Sequence, residues 1–168
     1  TASFDELIDF IQKTGIVTAM VGLLNAPKGT KLYQRLKEQG RLIDTGSGSN
    51  TDFSMNFMPL MDRDELFMGY KKVVKTIYAP QMYYDRIIVF LKNYKSKVHS
   101  RLSMSDIKAF IRSIWKIGVL DNEKKYFWKL IFRAALKPSC FPLAVKFIIL
   151  GYHFRKVFAE LSKYSVMA

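Results

Sequence analysis

The sequence is poor in the side chains that hold metal ions. Its 168 residues include one cysteine, Cys140, and two histidines, His99 and His153, which lie far apart in the chain. Structural metal sites take about four ligands, most often thiolates and imidazoles. A multi-cysteine metal site and an internal disulfide are therefore excluded within this chain, and we predict neither metal ligands nor catalytic residues in it.

Long apolar runs and nucleotide-binding motifs are missing as well. The longest apolar stretch, residues 141–152, is interrupted by Lys146, and a helix that crosses a bilayer needs about 20 apolar residues. There is no G-x-S-x-G, Walker or dinucleotide-binding fingerprint. No transmembrane helix is predicted, and the single cysteine is consistent with a cytoplasmic location.

Acidic residues are scarce in one part of the chain. Residues 1–60 contain six basic and six acidic side chains, whereas residues 61–168 contain 21 and 8 and carry the whole net charge of +13. Such a surface is a solvated basic exterior or a site for an anionic membrane or nucleic acid. Most of the aromatic residues recur at helical spacing, which favours core packing over base stacking and makes nucleic acid the least favoured partner.

The first 44 residues show the pattern helix, strand, helix. Ser3 begins an S-x-x-E capping box, and the helix that follows ends at Gly15. Residues 16–24 are almost continuously apolar, which predicts a strand buried on both faces. A second helix is predicted over 31–39 and ends at Gly40. This is a slice of an α/β repeat that cannot complete a sheet alone.

The rest of the chain is predicted to be helical. Residues 45–52 form a glycine- and serine-rich connection, and residues 53–58 alternate as a half-buried extended segment would. Helices over 53–168 are predicted to begin at Asp62, Ser103, Asn122 and Pro142, with a stop at Pro138. The predicted fold is mainly α with a small α/β piece.

Few residues are candidates for chemistry. Asn50, Thr51 and Asp52 are hydrogen-bonding side chains beside a glycine-rich loop, and they either build a turn or project into a cavity. Cys140 is expected to be a small buried apolar residue. His153, between two aromatic residues of a helix, is expected to be packed or half-exposed.

Four stretches of the sequence carry a specific resemblance to a known family. They are FDELIDFIQKTGI (4–16), AMVGLLNAPKGTKLYQRLKEQGRL (19–42), NTDFSMNFMPLMDRDEL (50–66) and GYKKVVKTIYAPQMYYDRIIVFLKNY (69–94). Together they resemble the cobalamin-binding-domain radical SAM proteins, which carry a helical C-terminal domain of unknown function after the barrel. Lys28-Gly29-Thr30 stands where many relatives have Pro-Gly-Thr.

The resemblance implies a division of the chain and a role. Residues 1–44 would be the C-terminal fragment of the radical SAM barrel, and residues 53–168 a non-catalytic accessory domain that shapes the substrate side of the active site. Asn25, Asn50, Thr51 and Asp52 would then be pocket residues that form hydrogen bonds, since ligands collect at the carboxyl ends of parallel strands.

The resemblance also implies cofactors and partners that lie outside this chain. The parent would be an enzyme that holds a four-iron four-sulfur cluster on a C-x-x-x-C-x-x-C loop, uses SAM, and binds cobalamin in an N-terminal domain. This chain has none of those cysteines, so no cofactor is expected in it. Its partners would be the missing barrel and cobalamin-binding domain.

Two alternatives remain at this point. The basic helices could form a peripheral membrane module or a nucleic-acid-binding module instead, which would add a membrane-peripheral location. The apolar strand over 16–24 could pair with a second copy to make a homodimer, or it could be covered by the helices of the same chain.

Overall fold

The computed structural model describes residues 2–43, 55–95 and 103–164. The seven helices in these ranges are α1 (Ala2–Thr14), α2 (Lys31–Glu38), α3 (Arg63–Ile77), α4 (Pro80–Asn93), α5 (Met104–Ser113), α6 (Lys124–Ala135) and α7 (Phe141–Tyr164). A π-helical turn, Ile114–Val119, continues α5, and a short 3₁₀ turn, Pro138–Cys140, precedes α7. The prediction of a mainly helical protein is confirmed.

Most of the predicted helix ends are present. Asp62 caps α3, because its carboxylate accepts hydrogen bonds from the backbone N–H groups of Asp64 and Glu65 at 3.0 Å. Ser103 and Asp106 form a complete capping box at the start of α5. The first two helices are followed by glycines with positive φ, Gly15 and Gly40, as predicted.

Two predicted caps are wrong. Helix α1 already includes Ser3, so this residue lies inside the helix. Asn122 does not cap α6, because the carboxylate of the preceding residue, Asp121, accepts from the backbone N–H of Glu123 at 2.8 Å and the helix begins at Lys124. The local side-chain turn therefore competes successfully with the predicted cap.

Residues 16–24 are extended but form no β-ladder in the described part of the chain, so the predicted strand is corrected. The odd-numbered residues from Val17 to Leu23 are buried or half-buried, and the even-numbered residues from Ile16 to Leu24 are all exposed. The expectation of burial on both faces is also wrong here. Only one face finds neighbours, because the helices of the same chain cover that face alone.

The core lies where α4 packs between α1, α6 and α7, with α3 covering α1 on the other side. Fully buried apolar side chains from these helices fill it: Val73, Ile77, Ile87, Phe127, Leu130, Ala144 and Ile148. The extended segment 16–24 thus rests on the same helical core through Val17 and Leu23.

Gly151 of α7 lies against the buried ring of Tyr83 of α4. The Tyr83 hydroxyl donates to the carbonyl oxygen of Phe147 at 2.8 Å, which fixes the ring in this position. A Cβ atom at 151 would overlap that ring, so glycine is needed for the close approach of α4 and α7.

We expect Gly151→Ala to destabilise the chain by about 1–3 kcal/mol from overpacking, reduced by about 1 kcal/mol from better helix propensity. The free energy of unfolding in urea measures the difference. In the Tyr83→Leu background the ring is gone, so the same Gly151→Ala change should be neutral or stabilising. An equal cost in both backgrounds would contradict this packing.

Candidate functional site

The extended segment 16–24 is held by side-chain donors from α3, from Tyr78 directly after it, and from α4. Arg86 Nη2 lies 3.4 Å from the carbonyl oxygen of Val17, the Tyr78 hydroxyl donates to that of Ala19 at 2.8 Å, and the Tyr70 hydroxyl to that of Val21 at 3.3 Å. These three carbonyls belong to alternate residues and point to one edge of the segment. On this edge, side chains therefore donate to the carbonyl groups that would otherwise pair with a neighbouring strand.

The segment is followed by a reciprocal amide clamp formed by Asn25, Ala26 and Asn56. Asn56 Oδ1 accepts from the backbone N–H of Ala26 at 2.8 Å, and Asn56 Nδ2 donates to the carbonyl of Ala26 at 2.7 Å. Asn25 Oδ1 in turn accepts from the backbone N–H of Asn56 at 3.0 Å. Because both amides bind backbone, the clamp joins the end of segment 16–24 to the chain that enters the helical domain.

A short antiparallel contact runs alongside the clamp. Leu42 and Phe57 form an isolated β-bridge, the N–H of Ile43 donates to the carbonyl of Asn56 at 2.8 Å, and the N–H of Met58 donates to the carbonyl of Arg41 at 2.8 Å. The predicted half-buried extended segment is present over the residues described here, since Met55 and Phe57 are buried.

These elements enclose an apolar groove of about 480 Å³ between α1, α2, α3 and the two extended segments. Its apolar lining is Phe4, Leu7, Val21, Leu23, Leu24, Leu32, Leu36, Met55, Phe57, Pro59, Leu60, Met61, Leu66 and Val73. Residues 1–43 and residues 55–73 both contribute, so the groove exists only where the two parts of the chain meet. Such a space suits an apolar ligand or an apolar part of one.

The polar groups of the groove are few. Arg35 and Arg41 provide the charged groups of the lining, and Tyr70 provides a hydroxyl. The guanidinium of Arg41 already binds the carbonyl of Met58, from Nε at 3.0 Å and from Nη2 at 2.6 Å. Arg35 is exposed and lies near no carboxylate of the described residues. It is the side chain of the lining best placed to meet an anionic or polar end of a ligand.

The ionisable groups near the groove are suited to binding and not to proton transfer at neutral pH. Burial raises the pKa of Tyr70 and of Tyr78 above the ordinary tyrosine value. Both phenols therefore stay protonated and remain hydrogen-bond donors. No cluster of three or more histidine, cysteine, aspartate or glutamate side chains that could hold a metal occurs among residues 2–43, 55–95 and 103–164.

Arg86 is a fully buried charge at the base of the extended segment. Besides Val17 it approaches Gln12 Oε1, 3.3 Å from Nη1, and its guanidinium lies 5.4 Å from the ring centroid of Tyr83. Its Nε has no hydrogen-bond partner among the described residues. Burial lowers the pKa of Arg86, an effect that the neighbouring Tyr78 and Tyr83 oppose. Its contacts connect α1, α4 and segment 16–24 in one place.

Of the four residues predicted to line a pocket, the structure describes Asn25 alone. Asn25 lies at the end of segment 16–24, as expected, but its Oδ1 holds the backbone of Asn56 and it is not part of the groove lining. Asn50, Thr51 and Asp52 lie outside the described residues. Their role as pocket residues stays a prediction.

The sequence analysis missed the residues that build the groove. The hydroxyls of Tyr70 and Tyr78 were not predicted to bind backbone. The signal that could have found them is a tyrosine at a core position, which requires a partner for its hydroxyl. Arg86 follows Tyr83 by three residues on the buried face of α4. A charged residue in this apolar stripe was the signal that could have indicated a buried, hydrogen-bonded guanidinium.

Cys140 and His153, the other two residues considered for chemistry, lie within the described residues. Cys140 is a buried free cysteine, as expected. His153 is exposed, with its ring centroid 6.1 Å from that of Phe154. Neither belongs to the groove.

Comparison with known proteins now defines the class to which this chain belongs. Residues 30–165 match the family described as a domain of unknown function, DUF4070, and the chain belongs to this family. It is the C-terminal domain of radical SAM methyltransferases, so the resemblance seen in the sequence is confirmed.

Two curated relatives show the same relationship. The chain is 31% identical over 129 residues to the uncharacterized methyltransferase sll1242 of Synechocystis sp., covering 74% of this chain and 24% of that protein. It is 29% identical over 141 residues to the hopanoid C-2 methylase of Rhodopseudomonas palustris, covering 78% of this chain and 26% of that protein. The chain thus spans about a quarter of these relatives. No solved structure matches it.

We expect Tyr78→Phe to destabilise this chain by about 1 kcal/mol, because it removes the hydroxyl that binds the carbonyl of Ala19. Limited proteolysis should also cut more readily within residues 16–24. Tyr33→Phe is the control, since the hydroxyl of this half-buried residue makes no hydrogen bond to the described residues. Equal effects of the two changes in urea unfolding would show that the Tyr78 contact does not hold the segment.

We expect the chain to lose stability above pH 10. Burial raises the pKa of Tyr84 far above its ordinary value of about 10. The folded state therefore favours the neutral phenol. The stability that this phenol contributes is complete below its pKa in the unfolded chain and is lost as the pH rises through its pKa in the folded chain. Unfolding curves from pH 9 to 12 should fall less steeply for Tyr84→Phe than for the unchanged chain or for Tyr33→Phe. Parallel curves for all three would refute the assignment.

Proposed function

We propose that this chain is a non-catalytic C-terminal accessory region that shapes the substrate side of the active site of a radical SAM methyltransferase. The observation that carries this proposal is the groove of about 480 Å³, which residues 1–43 and residues 55–73 form jointly. An accessory domain that merely followed the barrel would not share an apolar groove with the segment that precedes it. The whole protein is the enzyme in this proposal, and this chain alone is not.

The proposed boundary lies in the connection over residues 45–52, with residues 1–44 belonging to the barrel. The edge of segment 16–24 that faces away from α3 and α4 supports this. Since Val17, Ala19 and Val21 turn their carbonyls toward α3 and α4, the intervening residues 18, 20 and 22 present theirs to the other edge. A neighbouring strand of the barrel would cover this edge, in preference to a second copy of the chain.

The cofactors belong to the remainder of the protein. The described residues contain no cluster of potential metal ligands, so they do not fit an iron–sulfur cluster. We infer that the barrel holds the cluster and SAM, and that an N-terminal domain holds cobalamin, the cofactors implied by the radical SAM resemblance. The contribution of this chain is binding and exclusion of water at the substrate side.

The lining of the groove indicates the class of substrate. It is apolar except for Arg35, Arg41 and Tyr70, which suits a lipid-like molecule with one polar end. One relative is named as a hopanoid C-2 methylase. In this proposal Asn25, Asn50, Thr51 and Asp52 form hydrogen bonds at the edge of the same pocket.

The nucleic-acid alternative has less support. Lys129 lies 4.0 Å from the carboxylate of Asp85, and Lys125 lies over the ring of Tyr126 at 4.9 Å. The aromatic residues Phe127 and Tyr83 are buried and cannot stack on bases. These basic side chains therefore do not form an uninterrupted cationic face on α6.

The decisive test is to express the complete protein with Leu24→Glu and Leu60→Glu, which place charges at two exposed positions of the groove. Anaerobic assays with matched cluster content should show cleavage of SAM to 5′-deoxyadenosine at the unchanged rate. Methyl transfer to a hopanoid or to the protein's own lipid substrate should fall by about 10²-fold or more, because a misplaced or excluded apolar substrate loses that much rate.

Leu136→Glu is the matched control, since Leu136 follows the last residue of α6, is 85% exposed and lies outside the groove. It should leave both activities unchanged. If the groove variants transfer methyl groups as well as the control does, the groove is not the substrate side. If the cluster-loaded protein never cleaves SAM, the radical SAM assignment of the parent is wrong.

A further inference from the structure

Helix α5 and the π-helical turn that continues it expose a continuous apolar stripe. We define the stripe as Met104, Ile107, Ile111, Trp115 and Val119, which are 70%, 42%, 61%, 62% and 44% exposed. Successive members are three or four residues apart, so they lie on one side of the helix. A row of five large exposed apolar side chains is more than the scattered apolar residues of an ordinary surface.

The π-helical turn that carries the end of the stripe contacts α6. Gly118 is buried, and a Cβ atom there would lie 2.9 Å from the ring of Phe127. Its carbonyl accepts from Trp128 Nε1 at 2.9 Å, which fastens the turn to α6. On another side of α5, the ring of Phe110 packs edge-on against Phe141 at 5.3 Å. The stripe therefore faces outward, while α5 packs on α7 and the π-helical turn packs on α6.

Three cations flank the stripe. Lys108, Arg112 and Lys116 each follow a member of the stripe in the sequence, all three are exposed, and no carboxylate of the described residues is within salt-bridge distance of them. The one acid of α5, Asp106, is used in the capping box with Ser103. The helix thus combines an apolar face with an adjoining face of a single charge sign.

We propose that this stripe binds the surface of an anionic lipid bilayer. A helix with an apolar face that contains tryptophan, bordered by basic side chains, lies in the plane of the lipid headgroups. The three cations argue against a second copy of the same face, since like charges would oppose each other. Nucleic acid would leave the apolar members exposed. The described residues include no helix long and apolar enough to span a membrane.

This interaction is independent of the proposed function, because it concerns α5 and not the groove. Its readout is vesicle binding, which requires neither a cluster nor turnover. A failure here would leave the assignment of the groove intact, and a failure of the groove variants would leave this surface intact.

The experiment is co-sedimentation of the complete protein with vesicles of phosphatidylcholine containing about 30% of the anionic lipid phosphatidylglycerol, compared with pure phosphatidylcholine. Binding should be tighter to the anionic vesicles and should weaken as salt is added. Replacing Lys108, Arg112 and Lys116 by glutamine should weaken it by on the order of 100-fold, about fivefold for each cation. Ile111→Ser with Trp115→Ser should also weaken it at least tenfold.

The matched controls change the same kinds of residue elsewhere. Replacing Lys28, Lys31 and Lys37 by glutamine removes as many exposed charges, and Phe10→Ser with Met68→Ser removes apolar side chains of similar exposure, 57% and 67%. Controls and stripe variants that bind alike would overturn the proposal. A protein that does not bind anionic vesicles at low salt, or that prefers nucleic acid to vesicles, would also overturn it. The same holds if Ile111→Ser with Trp115→Ser abolishes a dimer in light scattering and leaves vesicle binding unchanged.

Discussion

The structure depends on how an extended segment satisfies its carbonyl groups when the described residues provide no neighbouring strand. Residues 17, 19 and 21 turn their carbonyls toward the helical core, where an unpaired acceptor would be costly. Two phenols and one guanidinium from α3 and α4 provide the donors. Because these donors sit on helices that also form the core, the extended segment, the helical domain and the groove between them are parts of one packed unit.

This arrangement requires that polar atoms be brought into the interior. Arg86 is the fully buried charge among the described residues, and its contacts are a glutamine, a carbonyl and an aromatic ring in place of a carboxylate. The buried tyrosines serve two purposes, since their rings fill the core and their hydroxyls bind backbone or stay neutral. The helical domain is therefore built to receive this particular segment and would be a poor partner for an apolar surface without exposed carbonyls.

The sequence predicted the helices well and the groove not at all. Helix ends depend on nearby residues, so Asp62, Ser103, Gly15 and Gly40 could be assigned from local patterns. The strand prediction failed because an apolar run shows that a segment is buried and does not show what buries it. The groove joins residues up to 69 positions apart, and no local pattern reveals that the hydroxyl of Tyr70 meets the carbonyl of Val21.

The amide clamp of Asn25, Ala26 and Asn56 has a consequence for how this family can diverge. It fastens two points of the backbone that are 30 residues apart in sequence, on either side of the connection over 45–52. With both ends anchored, an insertion in the connection would cost little closure entropy and would not disturb the core. Related proteins could therefore differ in the length and sequence of this connection while the fold beneath stays the same.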